Sequence, residues 1–202
     1  MGLSLFATEI YRAKLGGPQI GRLLGDLAQT IHQLAQDDGA GRRWSAENGY
    51  GGYTSYASLD DLAWRDSAVA DLQARLDRHV AVFARQLGFD LKGRKLACDS
   101  LWVNLLKPGA HHTAHIHPGS AISGTFYVEV PAGASAIRFE DPRLGLMMAA
   151  PQVKASAPPA RQRFVSVAPK AGEVLLWESW LRHEVPRNAA KAPRLSVSFN
   201  YR

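Results

Sequence analysis

The sequence predicts a mainly β chain of the α+β class, with helices first and then many short strands closing into a sandwich or small barrel. Three observations carry this. Apolar residues recur at helical spacing twice before residue 95. After residue 95 the apolar period drops to two. Pro and Gly turns then cut that second stretch into short segments. The chain has 202 residues, 46% of them hydrophobic and 21% charged, enough for one packed core. We therefore expect a single domain over 1–202, with a helical part at 1–94 and a β core at 95–202.

The first residues, MGLSLFATEIYRAK, hold an apolar stretch broken at Glu9, too short for a signal-peptide core. No segment reaches the ~18–20 apolar residues of a membrane span. Phe6 stands where a myristoylation signal has Ser or Thr. One cysteine, Cys98, excludes an internal disulfide framework and fits a reducing, cytoplasmic setting; its apolar neighbours suggest a packed thiol. The net charge of +6 comes from 24 Lys and Arg spread along the chain, with Lys92-Gly93-Arg94-Lys95 as the one compact run. No nucleic-acid motif accompanies it, so nucleic acid is not expected as a partner, and a small anionic substrate or cosubstrate is as good an explanation of the charge. The oligomeric state is open, a homodimer included.

Ile20, Leu23, Leu24, Leu27, Ile31 and Leu34 mark one face of a first helix. Val69, Leu72, Leu76, Val80, Phe83 and Leu87 mark a second, with Asp66 or Ser67 as its cap. Between them RRWSAENGYGGYTSYASLDDLAW (42–64) lacks periodicity and reads as a long binding loop. Leu101, Val103 and Leu105 alternate with Trp102, Asn104 and Leu106, and further strands are expected at 113–118, 123–130, 135–140, 164–168, 173–178 and 194–200. The excursion 141–163 interrupts them, and its Ala/Pro-rich second half reads as an exposed loop.

The segment HHTAHIHPGSAISGTFYV (111–128) packs four of the seven histidines into its first seven residues. His115 and His117, one residue apart, share a face if that segment is a strand. Imidazole suits Fe, Zn, Cu and Ni; the rival reading is a solvated His-rich turn. His183, in WESWLRHEVPRN, is the remaining histidine of the β half and the natural third ligand. Eleven residues on (194 − 183), Arg194, Ser196, Ser198 and Asn200 alternate with Leu195, Val197 and Phe199. If the apolar set packs outward, Arg194 and Ser196 point into the barrel, where a buried guanidinium needs an anion. A metal beside an Arg–Ser carboxylate grip describes a pocket for a chelating dicarboxylic acid.

These residues resemble the Fe(II)/2-oxoglutarate-dependent oxygenases. GAHHTAHIHPGSAISGTFYVEVP, IRFEDPR, GEVLLWESWLRHEVPRN and RLSVSFNY look most like a bacterial and phage branch, and ATEIYRAKL and YGGYTSY extend the likeness over nearly the whole chain. The resemblance implies a double-stranded β-helix (jelly-roll) core with the N-terminal helices packed on it. It implies Fe(II) on His115, His117 and His183, with 2-oxoglutarate as cosubstrate held by Arg194 and Ser196, and O2 as oxidant. The reaction it implies is hydroxylation of a small molecule, peptide or protein, with release of succinate and CO2. Asn104 and Tyr127 are expected beside the cosubstrate, His112 behind the ligands and His111 exposed. Trp177 and Trp180 are expected in the core. Arg143, Tyr53 and Tyr56 are expected to meet the substrate.

The second ligand position departs from the wider superfamily, which has Asp or Glu where this chain has His117. Glu129, Glu140 and Asp141 are the carboxylates that could replace it. Two rival readings remain. A cupin would use Gly109, His115 and His117, but Ala121 and Ile122 stand where it needs Glu, and Arg194 goes unexplained. A non-catalytic metal- or ligand-binding module would make no succinate.

Overall fold

The computed structural model describes residues 2–3, 5–143 and 145–202; Met1, Ser4 and Leu144, the last inside the 141–163 excursion, lie outside the described residues. The chain runs β1 (Ile10–Lys14), α1 (Ile20–Asp37), α2 (Gly39–Glu47), β2 (Gly52–Thr54), α3 (Leu62–Arg65) and α4 (Ser67–Gln86). It continues through β3 (Cys98–Leu106), β4 (His112–His115), β5 (Ile122–Glu129), β6 (Ile137–Glu140), α5 (Leu146–Ala149), β7 (Phe164–Val167), β8 (Glu173–Glu178), β9 (His183–Val185) and β10 (Arg194–Tyr201). The strands form two antiparallel sheets, a major one in the order β1-β8-β5-β10-β3-β2 and a minor one in the order β4-β9-β6-β7. This is the mainly β jelly-roll that the strand pattern and the resemblance led us to expect.

Both faces of the major sheet are covered, and its alternation says by what. Leu101, Val103, Ile122, Phe126, Val174, Leu176, Val197 and Phe199 join Leu23, Leu27, Ile31, Leu72, Leu76 and Phe83 of α1 and α4 in one core. The opposite parity faces the barrel interior, where Tyr127, Leu175 and Trp177 meet Ile137 and Phe139 of the minor sheet. Arg194, Ser196, Ser198 and Asn200 share that inner parity, so the helices on the outer face turn the polar row inward. Asp66 caps α4, its side chain accepting from Ala68 and Val69, whereas α1 begins after Gln19 without a side-chain cap. Tyr201 Oη donates to Asp77 Oδ1 at 2.6 Å, tying β10 to α4.

Close packing here predicts one mutational result. Gly124 of β5 sits against the helix-side core, where an added Cβ would lie 2.4 Å from Phe199 and 2.6 Å from Leu176. Gly124→Ala should therefore cost on the order of 1–3 kcal/mol, seen as a lower urea midpoint at unchanged slope.

The N-terminal part is not purely helical. β1 pairs with β8 along the edge of the major sheet, and β2 pairs with β3 at the other edge. The 42–64 loop is largely ordered as α2, β2 and α3. Short edge strands of three to five residues leave too little sequence for a period-two signal to show. No helix among the described residues is long and apolar enough to cross a membrane. Burial raises the Cys98 thiol to about 11, so a packed thiol is what the fold makes of it.

Candidate metal centre

The centre is assembled across the two sheets. β4 and β9 are neighbours in the minor sheet, and their register sets His115 directly opposite His183. On its other side β9 is fixed by β6, with His183 opposite Phe139. β4 ends at His115, so His117 lies two residues beyond the strand. Its backbone N–H bonds Ser179 O at 3.0 Å. Ser179 in turn is anchored inside the barrel, its Oγ 2.8 Å from Ser123 Oγ, which donates to Asn200 Oδ1 at 2.7 Å. A hydroxyl has one proton, so Ser179 must be the donor to Ser123. This network holds the turn that carries His117.

The ring centroids of His115 and His183 are 4.3 Å apart, those of His115 and His117 5.0 Å, and those of His117 and His183 5.3 Å. One ligand atom from each lies within 4.8 Å of the others. Three imidazoles this close form a donor set that could hold one metal ion. His115 Nδ1 lies 2.7 Å from Thr113 O, and His183 Nδ1 lies 2.9 Å from Leu181 O. A carbonyl only accepts, so both Nδ1 atoms carry the proton and both Nε2 lone pairs face the cluster.

Desolvation by burial, reinforced by the neighbouring imidazoles, holds His183 down to about 3 and His117 down to about 4. Burial also lowers His115, and with its neighbours takes His112 down to about 3. These rings are neutral at pH 7, the form a metal requires. The unfolded chain takes up protons near 6.5 while the native rings refuse them, so native stability is full above that value and is lost as pH falls. Metal-free protein should lose up to about 1.4 kcal/mol per pH unit per such histidine below pH 6, read as a falling melting temperature between pH 7 and 5.

The carboxylates proposed as substitutes for His117 are elsewhere. Glu129 is exposed at the end of β5. Glu140 pairs with Arg163 at 3.4 Å and Arg182 at 3.1 Å, and Asp141 with Arg143 at 2.6 Å. Among the described residues no Asp or Glu joins the cluster. The candidate donor set is three neutral imidazoles.

Arg194 lines the same cavity as the three histidines. It is only 5% exposed, its Nη1 donates to Ser135 O at 3.0 Å, and its Nε has no partner. Trp177, edge-on to His183 at 4.7 Å, also has an unpaired indole N–H. Unsatisfied buried donors are costly, and a guanidinium facing imidazoles across a cavity fits a chelating dicarboxylate. The residues present thus suit both iron and 2-oxoglutarate.

The other expected residues divide. Asn104 lies in the cavity wall, donating to Ser198 Oγ at 3.0 Å and accepting from Tyr50 Oη at 3.4 Å. Tyr127 lines the cavity with the Arg194 guanidinium 5.5 Å over its ring. Ser196 is buried on the inner face opposite Asn104 and Tyr127, yet the cavity surface comes from Arg194 and Ser198 on either side of it. His112 lines the cavity 4.2 Å from the His115 ring, and His111 is exposed.

Tyr53 corrects the expectation of a substrate contact. β2 sets it opposite Leu105, which faces the helices, so Tyr53 is buried there with its hydroxyl on Asp38 at 2.8 Å. Arg143 is exposed on the excursion, held by Asp141, and does not line the cavity. Tyr56 is half exposed and reaches the cluster only through Trp102, 5.1 Å from it and 5.8 Å from His117. Trp177 is core, as expected, but Trp180 is 47% exposed. Trp102 and Tyr50 line the cavity and escaped the sequence reading. Trp102 shares the parity of Asn104, which could have revealed it; Tyr50 precedes β2 in an aperiodic turn and gave no signal.

Comparison with known proteins agrees with this arrangement. The family described as "Putative 2OG-Fe(II) oxygenase" matches residues 100–200. A comparison with curated proteins finds no match. A Pseudomonas putida prolyl-4-hydroxylase is similar in fold, with a TM-score of 0.62 and 17% identity over 96% of this chain and 93% of that one. The epimerase SnoN from nogalamycin biosynthesis gives 0.65 and 16% over 96% and 78%. HygX from Streptomyces hygroscopicus, crystallised with nickel and 2-oxoglutarate bound, gives 0.58 and 14% over 96% and 81%. The jelly-roll, the imidazole cluster beside a buried arginine, and the match across the strands that carry them lead to one conclusion: this chain belongs to the 2OG-Fe(II) oxygenase family.

Proposed function

We propose that the protein is an Fe(II)- and 2-oxoglutarate-dependent dioxygenase that hydroxylates a small-molecule or peptide substrate. The observation that carries this is Arg194, buried, without a carboxylate partner among the described residues, in one cavity with His115, His117 and His183. In this reading the three imidazoles hold iron on one face. Arg194, with Ser198 rather than Ser196 on the cavity wall, takes the far carboxylate of 2-oxoglutarate as a two-toothed ion pair. Asn104 and Tyr127 fix the cosubstrate between arginine and metal. Tyr50, Trp102 and Trp177 keep water from the reacting face. Iron, 2-oxoglutarate and O2 supply the oxidising power, with succinate and CO2 as the accompanying products. Nucleic acid has no part in this reading.

The test is an anaerobic titration of Fe(II)-loaded protein with 2-oxoglutarate, followed by the visible metal-to-ligand charge-transfer band. A saturable band, and succinate formation once oxygen is admitted, are the expected results. Iron binding without the band would favour the cupin-like or binding-module reading. Product analysis then separates hydroxylation from other oxidative outcomes.

A further inference from the structure

Tyr50 walls the metal cavity on one side and a second, shallower cleft on the other. That cleft lies between the turn before β2 and the turn joining β3 to β4. Its lining includes Arg42, Lys107, Arg187 and His111, and among the described residues no Asp or Glu lines it. None of the three permanent cations makes an ion pair among the described residues. The frame beneath them is fixed. Lys107 N–H bonds Gly51 O at 3.2 Å, joining the two turns. Asn188, 1% exposed, donates to Leu106 O at 3.1 Å and Lys107 O at 3.3 Å, and its own carbonyl accepts from Gly109 at 2.7 Å. The backbone of Arg187 is therefore held close to that of Lys107. The Arg42 guanidinium is steadied by Gln36 O. Three cations on a rigid frame without counter-charges attract an anion.

On the oxygenase reading, a charge count at the metal is compatible with an anionic substrate. A divalent ion and Arg194 bring three positive charges; a dianionic chelator removes two. His117 is neutral where a carboxylate would have removed the third, so one positive charge remains.

We propose that the substrate is an anion whose phosphate or carboxylate group docks on Arg42, Lys107 and Arg187 while its oxidised carbon reaches the metal past Tyr50. This rests on the oxygenase reading above. β4 gives the scale. His111 lines the cleft and His115 belongs to the metal cluster, four residues apart on a segment that bulges between His112 and His115, so the two sites are separated by less than the ~13 Å of four fully extended residues. The substrate is thus an extended molecule with its anionic group on the order of 10 Å from the carbon that reacts.

Inorganic phosphate is the first probe. It is titrated at constant ionic strength into anaerobic protein loaded with Fe(II) and 2-oxoglutarate. Backbone amide shifts at Gly51 and Gly109 and the charge-transfer band are followed together. The expected result is saturable shifts at the cleft with the band retained. A Lys107→Gln/Arg187→Gln double variant should bind phosphate at least about ten-fold more weakly, a loss of ~1.4 kcal/mol, with unchanged circular dichroism and unchanged 2-oxoglutarate affinity. Phosphate binding that the double variant leaves intact, shifts that never saturate, or phosphate that acts only by displacing 2-oxoglutarate would each overturn the proposal. If the band never forms but the cleft still binds phosphate, the anion site stands and the oxygenase reading fails.

Discussion

Arg194→Ala is expected to raise the 2-oxoglutarate concentration needed for half-saturation by about 10²–10³-fold. The reasoning is electrostatic. Arg194 is 5% exposed and bonds only a backbone carbonyl, so its guanidinium in the ligand-free fold is a buried cation with no carboxylate. A dicarboxylate entering the cavity would meet it in a low-dielectric setting, and removing one partner of a buried charge pair costs about 3–5 kcal/mol. The same geometry separates binding from folding. Because the unpaired Nε already penalises the native state, the ligand-free variant should melt near the wild-type temperature or above it. Arg194→Lys should recover only part of the affinity, since an ammonium cannot make the two-toothed pair. The charge-transfer titration reads affinity and calorimetry reads stability. A variant that melts far below wild type yet keeps its 2-oxoglutarate affinity would sink the assignment.

His183→Ala is expected to abolish stoichiometric metal binding. Even the loss of partners behind a metal ligand weakens binding about 10–100-fold, and a lost ligand must cost more. His183 is also a packing residue, against Trp177 at 4.7 Å and Phe139 at 6.1 Å. Truncation at so buried a site should cost on the order of 2–4 kcal/mol as well. His117→Ala is the cleaner companion, because His117 lies beyond the strand end and is less buried. Both variants should fail to retain Fe(II) in a competition with a chromophoric chelator, while only His183→Ala should lower the melting temperature appreciably. Retention of one tightly held ion by His183→Ala would place the metal elsewhere.

How far the sequence could be read follows from parity. Every major-sheet strand of six residues or more announced itself, because both of its faces pack: one on α1 and α4, the other on the barrel interior. That parity also places Arg194 and Asn104 on the inner face. β1, β2 and β9 span three to five residues, and two of them are edges whose pairing depends on partners far along the chain. The same limit explains the site. Tyr53 and Tyr50 sit three residues apart in a Gly-rich stretch, yet one is core and the other is cavity wall. Pairing with β3 decides between them, and nothing local to the stretch encodes that pairing.

The His115–His183 register has a consequence for how the protein survives without iron. An ion held by both side chains is a cross-link between strands 68 residues apart in sequence (183 − 115). Closing so long a loop removes chain entropy from the unfolded state, as a disulfide would, but reversibly and at the discretion of the metal supply. Iron should therefore act as a removable clasp on the minor sheet: β4 and β9 exchange their amide hydrogens first when iron is stripped, while the helix-backed sheet keeps its protection. If iron is that ion, the clasp would open first in an iron-starved cell, and the abundance of this chain would follow the abundance of iron.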